Sequence, residues 1–366
     1  SNGINHADLQ TALKAHSKNT NIDRLKRFVS IYERVAASWE RKLKEGGYID
    51  FEDMLNLAAE HVERGRYRSP FTTILSDEFQ DSSRARIRLL KALAGPPEAG
   101  RHLCVVGDDW QGINRFAGAD ISVMREFDRI FPGATQLTLN TTFRSPQPIC
   151  DVSSRFVQAN PTQIRKEVAS ANHYESKQYI FAYAFEDARR STEHLAEQLT
   201  QMQHYLKLGK LEPGKNGRLS VLLLGRYRSD RPADLRRWNA QFSEHLNLDF
   251  KTVHSSKGLE VDYVMLLNVV EGNRGFPSQI EDDPVLQIPM PAPDPFPMAE
   301  ERRLFYVALT RARRQVRIYT SLAQPSRFLV ELVKQGAVEI EPIDAAPLEP
   351  CPKCSVGIVT RRVSAD

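Results

Sequence analysis

Three acids fall within five residues of "ILSDEFQDSS", residues 74–83: Asp77, Glu78 and Asp81. Apolar Ile74 and Leu75 lead into them, so the carboxylates sit at the exit of what reads as a buried strand. One carboxylate in such a place can hold a magnesium ion while its neighbour polarises a water, which is the equipment of phosphoryl transfer. A plainer reading is a helix start, because Asp81-Ser82-Ser83 stand ahead of "RARIRLLKALA" and would cap it. On this segment alone the capping reading is the commoner one.

Four further segments place polar or cationic residues beside an apolar run. After "LCVV" comes "GDDWQGINRFAGAD", residues 107–120. Gly107 permits a tight exit, Gln111 can bond a phosphate or an attacking water, and Phe116 can offer a ring to a base. A glycine-rich turn with a core aromatic fits that segment equally well. In "TTFRS", residues 141–145, Arg144 follows a short run and could reach a phosphate, although a single arginine is more often on a surface. In "FKTVHSSKGLEVDYVMLLNV", residues 250–269, the hydroxyls, His254 and Lys257 suit a nucleic-acid backbone; a solvated loop is the ordinary alternative. "EERRLFYVALTRARRQ", residues 300–315, reads as a helix with Arg311, Arg313 and Arg314 at its C-terminal end, where the helix dipole favours cations.

These residues need elements to hold them. Helical periodicity runs through "DLQTALKAHS", "IDRLKRFVSIYERVAASWERKLKEG" and "YIDFEDMLNLAAEHVE", with Asp50 as the cap of the third. Beyond them, the apolar runs "FTTILSD", "HLCVVGDD", "TQLTLN", "QYIFAYAF", "RLSVLLLGR", "DYVMLLNV" and "RQVRIYTS" read as strands. Helices such as "STEHLAEQLTQMQHYLK" and "MAEERRLFYVALTRA" separate several of them. Wholly apolar strands alternating with helices predict an α/β fold with parallel sheets covered on both faces. The Pro-rich "EDDPVLQIPMPAPDPFP", residues 281–297, reads as a long surface loop, and "IDAAPLEP", residues 343–350, as a linker.

With 366 residues the chain has room for two domains, and 41% hydrophobic with 26% charged residues is the composition of a globular protein. A formal net charge of +4 is mildly basic and compatible with a nucleic-acid partner. No run of apolar residues is long enough to span a membrane, and nothing reads as a signal peptide. Four cysteines, Cys104, Cys150, Cys351 and Cys354, are too few for a disulfide scaffold and suit a reducing cytoplasm.

Taken together and in order, DEFQD, GDDWQ, TFRS, TVHSSKGLE and VALTRAR resemble the motifs of superfamily 1 DNA helicases of the UvrD/Rep type. "VGDDWQGINRFAGAD", "RYRSDRP", "EGNRGFPS" and "EERRLFYVALTRAR" are most similar to the helicase IV branch, and the likeness covers roughly residues 48–335. The resemblance implies two RecA-like motor domains of the P-loop NTPase type, the first incomplete, over residues 1–139 and 140–342, with a linker and tail over 343–366. It implies ATP-dependent 3′→5′ translocation on single-stranded DNA and unwinding of duplex DNA, with ATP and Mg2+ bound and a role in DNA repair. Within it, Asp77 would coordinate magnesium, Glu78 would orient the attacking water and Gln111 would sense the γ-phosphate. Phe143 would stack on adenine, Glu260 would contact the ribose, and Arg144 and Arg311 would stabilise the transferring phosphate. Phe116, in place of a Trp, would stack on a DNA base, and Thr252 and His254 would contact the strand's backbone.

Departures accompany the likeness. No G-x-x-x-x-G-K-[ST] occurs in the sequence, so the loop that cradles phosphates is missing and the chain reads as the C-terminal piece of a longer helicase. Only 25 residues separate Arg226 from Thr252, leaving no room for the accessory domain of Rep-like relatives. Asn114 stands where relatives carry Tyr. "CPKC" at 351–354 resembles half of a zinc ribbon, and Cys351 with Cys354 supplies two of four ligands, so no metal is assigned there. The alternative function is a non-catalytic DNA-binding or regulatory module that keeps the motor fold.

Overall fold

The computed structural model describes residues 22–288 and 290–343 together with Leu9, Thr11, Leu13 and Ala345. Cys351 and Cys354, the half-ribbon of the sequence reading, lie outside the described residues. The chain divides into two compact units: Ser1–Thr135 with Glu281–Pro295, and Gln136–Ile280 with Phe296–Asp366.

In the first unit, α1 (Ile22–Gly46) and α2 (Phe51–Glu63) precede a β-α-β crossover. Asp50 caps α2 as its sequence implies: it accepts from the Asp53 N–H at 2.8 Å while Asp53 accepts from the Asp50 N–H at 3.2 Å. Strand β1 (Thr73–Ser76) pairs in parallel with β2 (His102–Val105), with Thr73 opposite His102, and α3 (Arg84–Ala94) makes the crossover. Ser83 caps α3 from its side chain, so capping is real, but it is Ser83 and not the acids that does it. Phe79, Ile87, Leu90 and Val123 form the core under this pair. The expected strand "TQLTLN" is absent: residues 136–140 are irregular, and Leu137 and Leu139 are 88% and 86% exposed. Asn140 O accepts from the Ala169 N–H at 2.8 Å at the head of the next strand pair, but Leu137 and Leu139 have no covered face, and an apolar strand needs one.

The second unit opens with the short parallel pair β3 (Thr141–Thr142) and β4 (Ala169–Ser170), joined across α4 (Gln147–Val157). A six-stranded sheet follows in the order β10-β5-β9-β8-β6-β7, every neighbour parallel. Its strands are β5 (Ile180–Phe185), β6 (Leu219–Gly225), β7 (Leu246–Thr252), β8 (Val261–Leu266), β9 (Ala312–Ser321) and β10 (Ile340–Pro342). Helices α5 (Ala188–Lys207), α6 (Leu235–Phe242), α7 (Ala299–Leu309) and α8 (Arg327–Lys334) connect and cover it. Leu199, Leu223, Trp238, Phe242 and Met265 fill one core. Phe156, Phe305 and Phe328 pack ring to ring in another, with ring centroids 5.0 to 5.6 Å apart. This is the parallel α/β fold that the apolar strands implied, with every strand of this sheet parallel to its neighbours. The expected burial fails in the first unit, where β1 and β2 alternate exposed and half-buried residues and Leu75 is 75% exposed.

Further elements depart from the sequence reading, the short strands β4 and β10 among them. Strand β7 was not expected, because it is an edge strand whose Asn247 and Asp249 face solvent and break its apolar run. Helix α7 ends at Leu309, so Arg313 and Arg314 lie on β9 instead of at a helix terminus. The backbone is drawn into the sheet at this point: the Val261 N–H donates to Arg311 O at 3.0 Å.

Candidate functional site

In the first unit the acidic run emerges from β1. Asp77 and Glu78 are exposed, and Asp77 Oδ1 accepts from the Glu78 N–H at 2.8 Å. Glu78 holds a left-handed backbone, φ 49° and ψ 44°, a conformation costly for a residue with a side chain and kept where surrounding structure enforces it. Enforcement comes from Gln80, which is buried. Its Nε2 donates to Glu78 Oε2, and its Oε1 accepts from the Asp108 N–H at 2.9 Å. One amide thereby ties the exit of β1 to the exit of β2. Gly107 makes room for it: a Cβ at that position would lie 2.7 Å from Gln80 Oε1. Gln111 donates to Asp108 Oδ2 at 2.7 Å, and Asp108 also caps the turn by accepting from the Trp110 N–H at 3.1 Å. Phe116 is 67% exposed, so the core reading of that ring is excluded.

In the second unit three distant motifs meet at the amino-terminal edge of the sheet. Glu260, just ahead of β8, has Arg144 at 3.5 Å, Arg313 at 3.3 Å and Lys215 at 3.6 Å. Arg144 Nε, the buried atom 3.5 Å from Glu260 Oε2, is close enough for an ion pair but makes no well-directed hydrogen bond among the described residues. Ser145 and Asn172 stitch the backbones together: Ser145 Oγ donates to Ala312 O at 2.9 Å, while Asn172 Nδ2 donates to Arg144 O at 2.5 Å and to Arg313 O at 2.7 Å. Asp262 supports the same edge. It has Arg313 and Arg314 each at 3.4 Å and accepts from Ser220 Oγ at 2.7 Å. Phe143 beside Arg144 is 79% exposed. Arg311 is fully buried and donates to Val307 O at 2.9 Å, Leu259 O at 3.2 Å and Thr310 Oγ1 at 3.3 Å. Its guanidinium is engaged with the fold.

Thr252 and His254 are elsewhere. Thr252 closes β7 opposite Gly225 at the carboxyl edge of the sheet, and His254 follows it in a single turn of 3-10 helix, His254–Ser256. The loop from Thr252 to Glu260 therefore runs from one edge of the sheet to the other. Thr252 Oγ1 lies 2.9 Å from Ser255 Oγ, which fixes the turn. Burial, with the Arg226 charge as a smaller cause, holds the His254 pKa down at about 4, so its imidazole is neutral at ordinary pH. It can hydrogen-bond a phosphate but brings no charge to it. Arg226 itself pairs with Glu301 at 2.7 Å.

Gln80, Ser145, Asn172 and Arg313 were missed as positioning residues. Gln80 and Ser145 stand inside quoted motifs and were legible as neighbours. Asn172 carries no local signal, because its partners are 28 and 141 residues away.

Comparison with known proteins agrees with this architecture. Residues 3–132 match the UvrD/REP helicase N-terminal domain, and residues 233–323 match the UvrD-like helicase C-terminal domain. The chain belongs to the UvrD-type helicase family. It is 34% identical over 335 residues to DNA helicase IV of Escherichia coli, covering 92% of this chain and 46% of that protein. It is 32% identical to the ATP-dependent DNA helicase PcrA of Bacillus subtilis and 30% identical to that of Staphylococcus aureus, in each case over 38% of this chain and 19% of the relative. The chain thus spans about half the length, or less, of the curated relatives it matches.

Proposed function

We propose that the chain is the C-terminal portion of an ATP-dependent DNA helicase, translocating 3′→5′ on single-stranded DNA, unwinding duplex DNA and serving DNA repair in the cytoplasm. The observation that carries the reading is the meeting of "TFRS", "SKGLE" and "TRAR" at Glu260, which collects cations of the kind that bind a nucleotide's phosphates. Arg144 is the leading phosphate contact, since a phosphate oxygen would satisfy its buried Nε. Arg311 contributes once its carbonyl partners are exchanged, Phe143 stacks on adenine, and Glu260 takes the ribose. In the first unit, Asp77 is assigned to the metal, Glu78 to the attacking water and Gln111 to the γ-phosphate.

Magnesium is assigned to the exposed Asp77 carboxylate at the exit of β1. Among the described residues no three His, Cys, Asp or Glu side chains converge on one point. Mg2+ characteristically takes one or two carboxylates, with water and phosphate oxygens filling the rest of its shell. When bound it neutralises charge on the phosphates. Phe116, Thr252 and His254 are assigned to single-stranded DNA, the first by stacking and the others by hydrogen bonds to the backbone.

Phosphate release in excess single-stranded DNA tests the proposal. The 366-residue chain should not turn over, because it has no phosphate-cradling loop. A longer chain that supplies the loop should show DNA-stimulated turnover, abolished by Glu78→Gln. Absence of that turnover would leave the non-catalytic DNA-binding module standing. Rapid turnover by the short chain, lost in Glu78→Gln, would refute the role given to the loop.

A further inference from the structure

The Pro-rich segment Glu281–Pro295 reads as a surface loop, and it is irregular apart from one helical turn, Pro284–Gln287. Connectivity puts it between β8 and α7 of the second unit, yet it packs as part of the first. Ile288 is buried with Leu9, Leu13, Leu25 and Val29. Asp283 pairs with Arg24 of α1 at 2.5 Å. Two further acids reach the loop that carries Phe116. Asp282 pairs with Arg115 at 2.8 Å, and Arg115 also donates to Pro291 O at 3.2 Å. Asp294 pairs with Arg125 at 2.6 Å, with its own side chain only 4% exposed.

These contacts bracket the exposed ring. Arg115 immediately precedes Phe116 and Arg125 follows nine residues later; both are largely covered, at 16% and 19% side-chain exposure. With its ring 67% exposed, Phe116 buries little of its own surface, so most of the order of its loop comes from the flanking residues. Two carboxylates and a carbonyl of the strap contribute to it, beside the buried Ile113 and Val123 and the Asp120 N–H that donates to Ser82 O at 3.3 Å. An ion pair as enclosed as Asp294–Arg125 is costly to open from one side.

We infer that Asp282 and Asp294 are positioning residues for DNA binding: the strap holds the Arg115–Arg125 loop so that the Phe116 ring is presented ready to stack. The inference rests on the proposed stacking role of Phe116. A preformed platform lowers the ordering cost of binding, so loosening the strap weakens affinity without removing any contact to phosphate. It also predicts coupling, since a ring that is absent cannot be misplaced.

The test uses the 366-residue chain and a single-stranded oligonucleotide carrying 2-aminopurine, whose fluorescence is quenched by stacking. Asp282→Asn and Asp294→Asn keep shape and remove charge, and the exchange Arg115→Asp with Asp282→Arg restores the pair. Asp282→Asn should weaken binding about three- to tenfold and reduce the quench, with the salt dependence unchanged. The charge exchange should recover most of both. In a Phe116→Ala background Asp282→Asn should have no further effect. Thermal melts show whether Asp294→Asn acts through unfolding, and hydrogen exchange at the 115–125 amides reads the loop itself. If Phe116→Ala weakens binding while Asp282→Asn changes neither affinity nor quench, the strap has no positioning role. Additive losses in the double variant would overturn it too. If Phe116→Ala leaves affinity untouched, the stacking reading itself has failed and the inference falls with it.

Discussion

Gln80 and Glu78, two residues apart, are joined side chain to side chain, and the same Gln80 amide accepts from the Asp108 N–H at 2.9 Å. This buried bracket holds the left-handed Glu78 backbone and fixes the distance between the two strand exits. Gln80→Ala should cost about 1–3 kcal/mol, because the Asp108 N–H loses its acceptor. Gly107→Ala should cost a similar amount, about 1–3 kcal/mol, through overpacking, because its Cβ would press on an amide that cannot swing away without breaking the bracket. Urea titration measures both, and stability unchanged in the two variants would remove the bracket from the account.

Arg311 combines a motif position with full burial. Arg311→Ala empties a fully buried position and removes the donor from Leu259 O and one of the bonds to Val307 O and Thr310 Oγ1, so it should destabilise the second unit by about 2–4 kcal/mol. Arg311→Lys should be intermediate, because an ammonium cannot span three acceptors with fork geometry. Denaturant melts of the isolated variants decide this before any kinetic result is read as loss of a phosphate contact.

Phe116 is solvent-facing, and its removal should leave stability within about 0.5 kcal/mol. Binding of single strands should fall about ten- to a hundredfold whatever their sequence, with the salt slope unaltered. A thermal melt beside oligonucleotide affinity at several ionic strengths separates this outcome from a packing role.

His254 makes stability depend on acidity. Its folded pKa of about 4 lies below the usual 6.5, so the unfolded chain binds a proton more readily than the folded one. The stability that the neutral imidazole preserves is complete above pH 6.5 and is lost as pH falls towards 4, by about 3 kcal/mol at most. His254→Gln should flatten that part of the profile. Equilibrium unfolding between pH 7 and 4 measures it, and superimposable wild-type and variant profiles would show that His254 titrates normally.

Much was legible in the residue order. In the second unit, wholly apolar runs between helices determined a parallel sheet, since strands covered on both faces can be so uniformly apolar. In the first, the same signal gave a parallel pair with one face exposed. Asp50 and Ser83 announced their caps through local hydrogen bonding, which needs no distant partner. The motif order was enough to suggest the family and to nominate Asp77, Glu78, Arg144 and Glu260.

What the sequence could not determine depended on distant partners. "TQLTLN" has a strand's composition, but a strand exists only where a neighbour pairs along it, and residues 136–140 are irregular, with Asn140 O alone meeting the Ala169 N–H at the head of the next strand pair. Strand β7 hid behind Asn247 and Asp249 because an edge strand tolerates polar residues that a central one excludes. Asn172 became a support of two arginines only when folding brought Arg144 O and Arg313 O within reach of one amide. The acids at 282 and 294 read as a polar loop until Arg115 and Arg125 were brought against them across more than 160 residues of sequence. Hydrogen bonds and ion pairs act over a few ångströms of space, and only the tertiary structure decides which residues share that space.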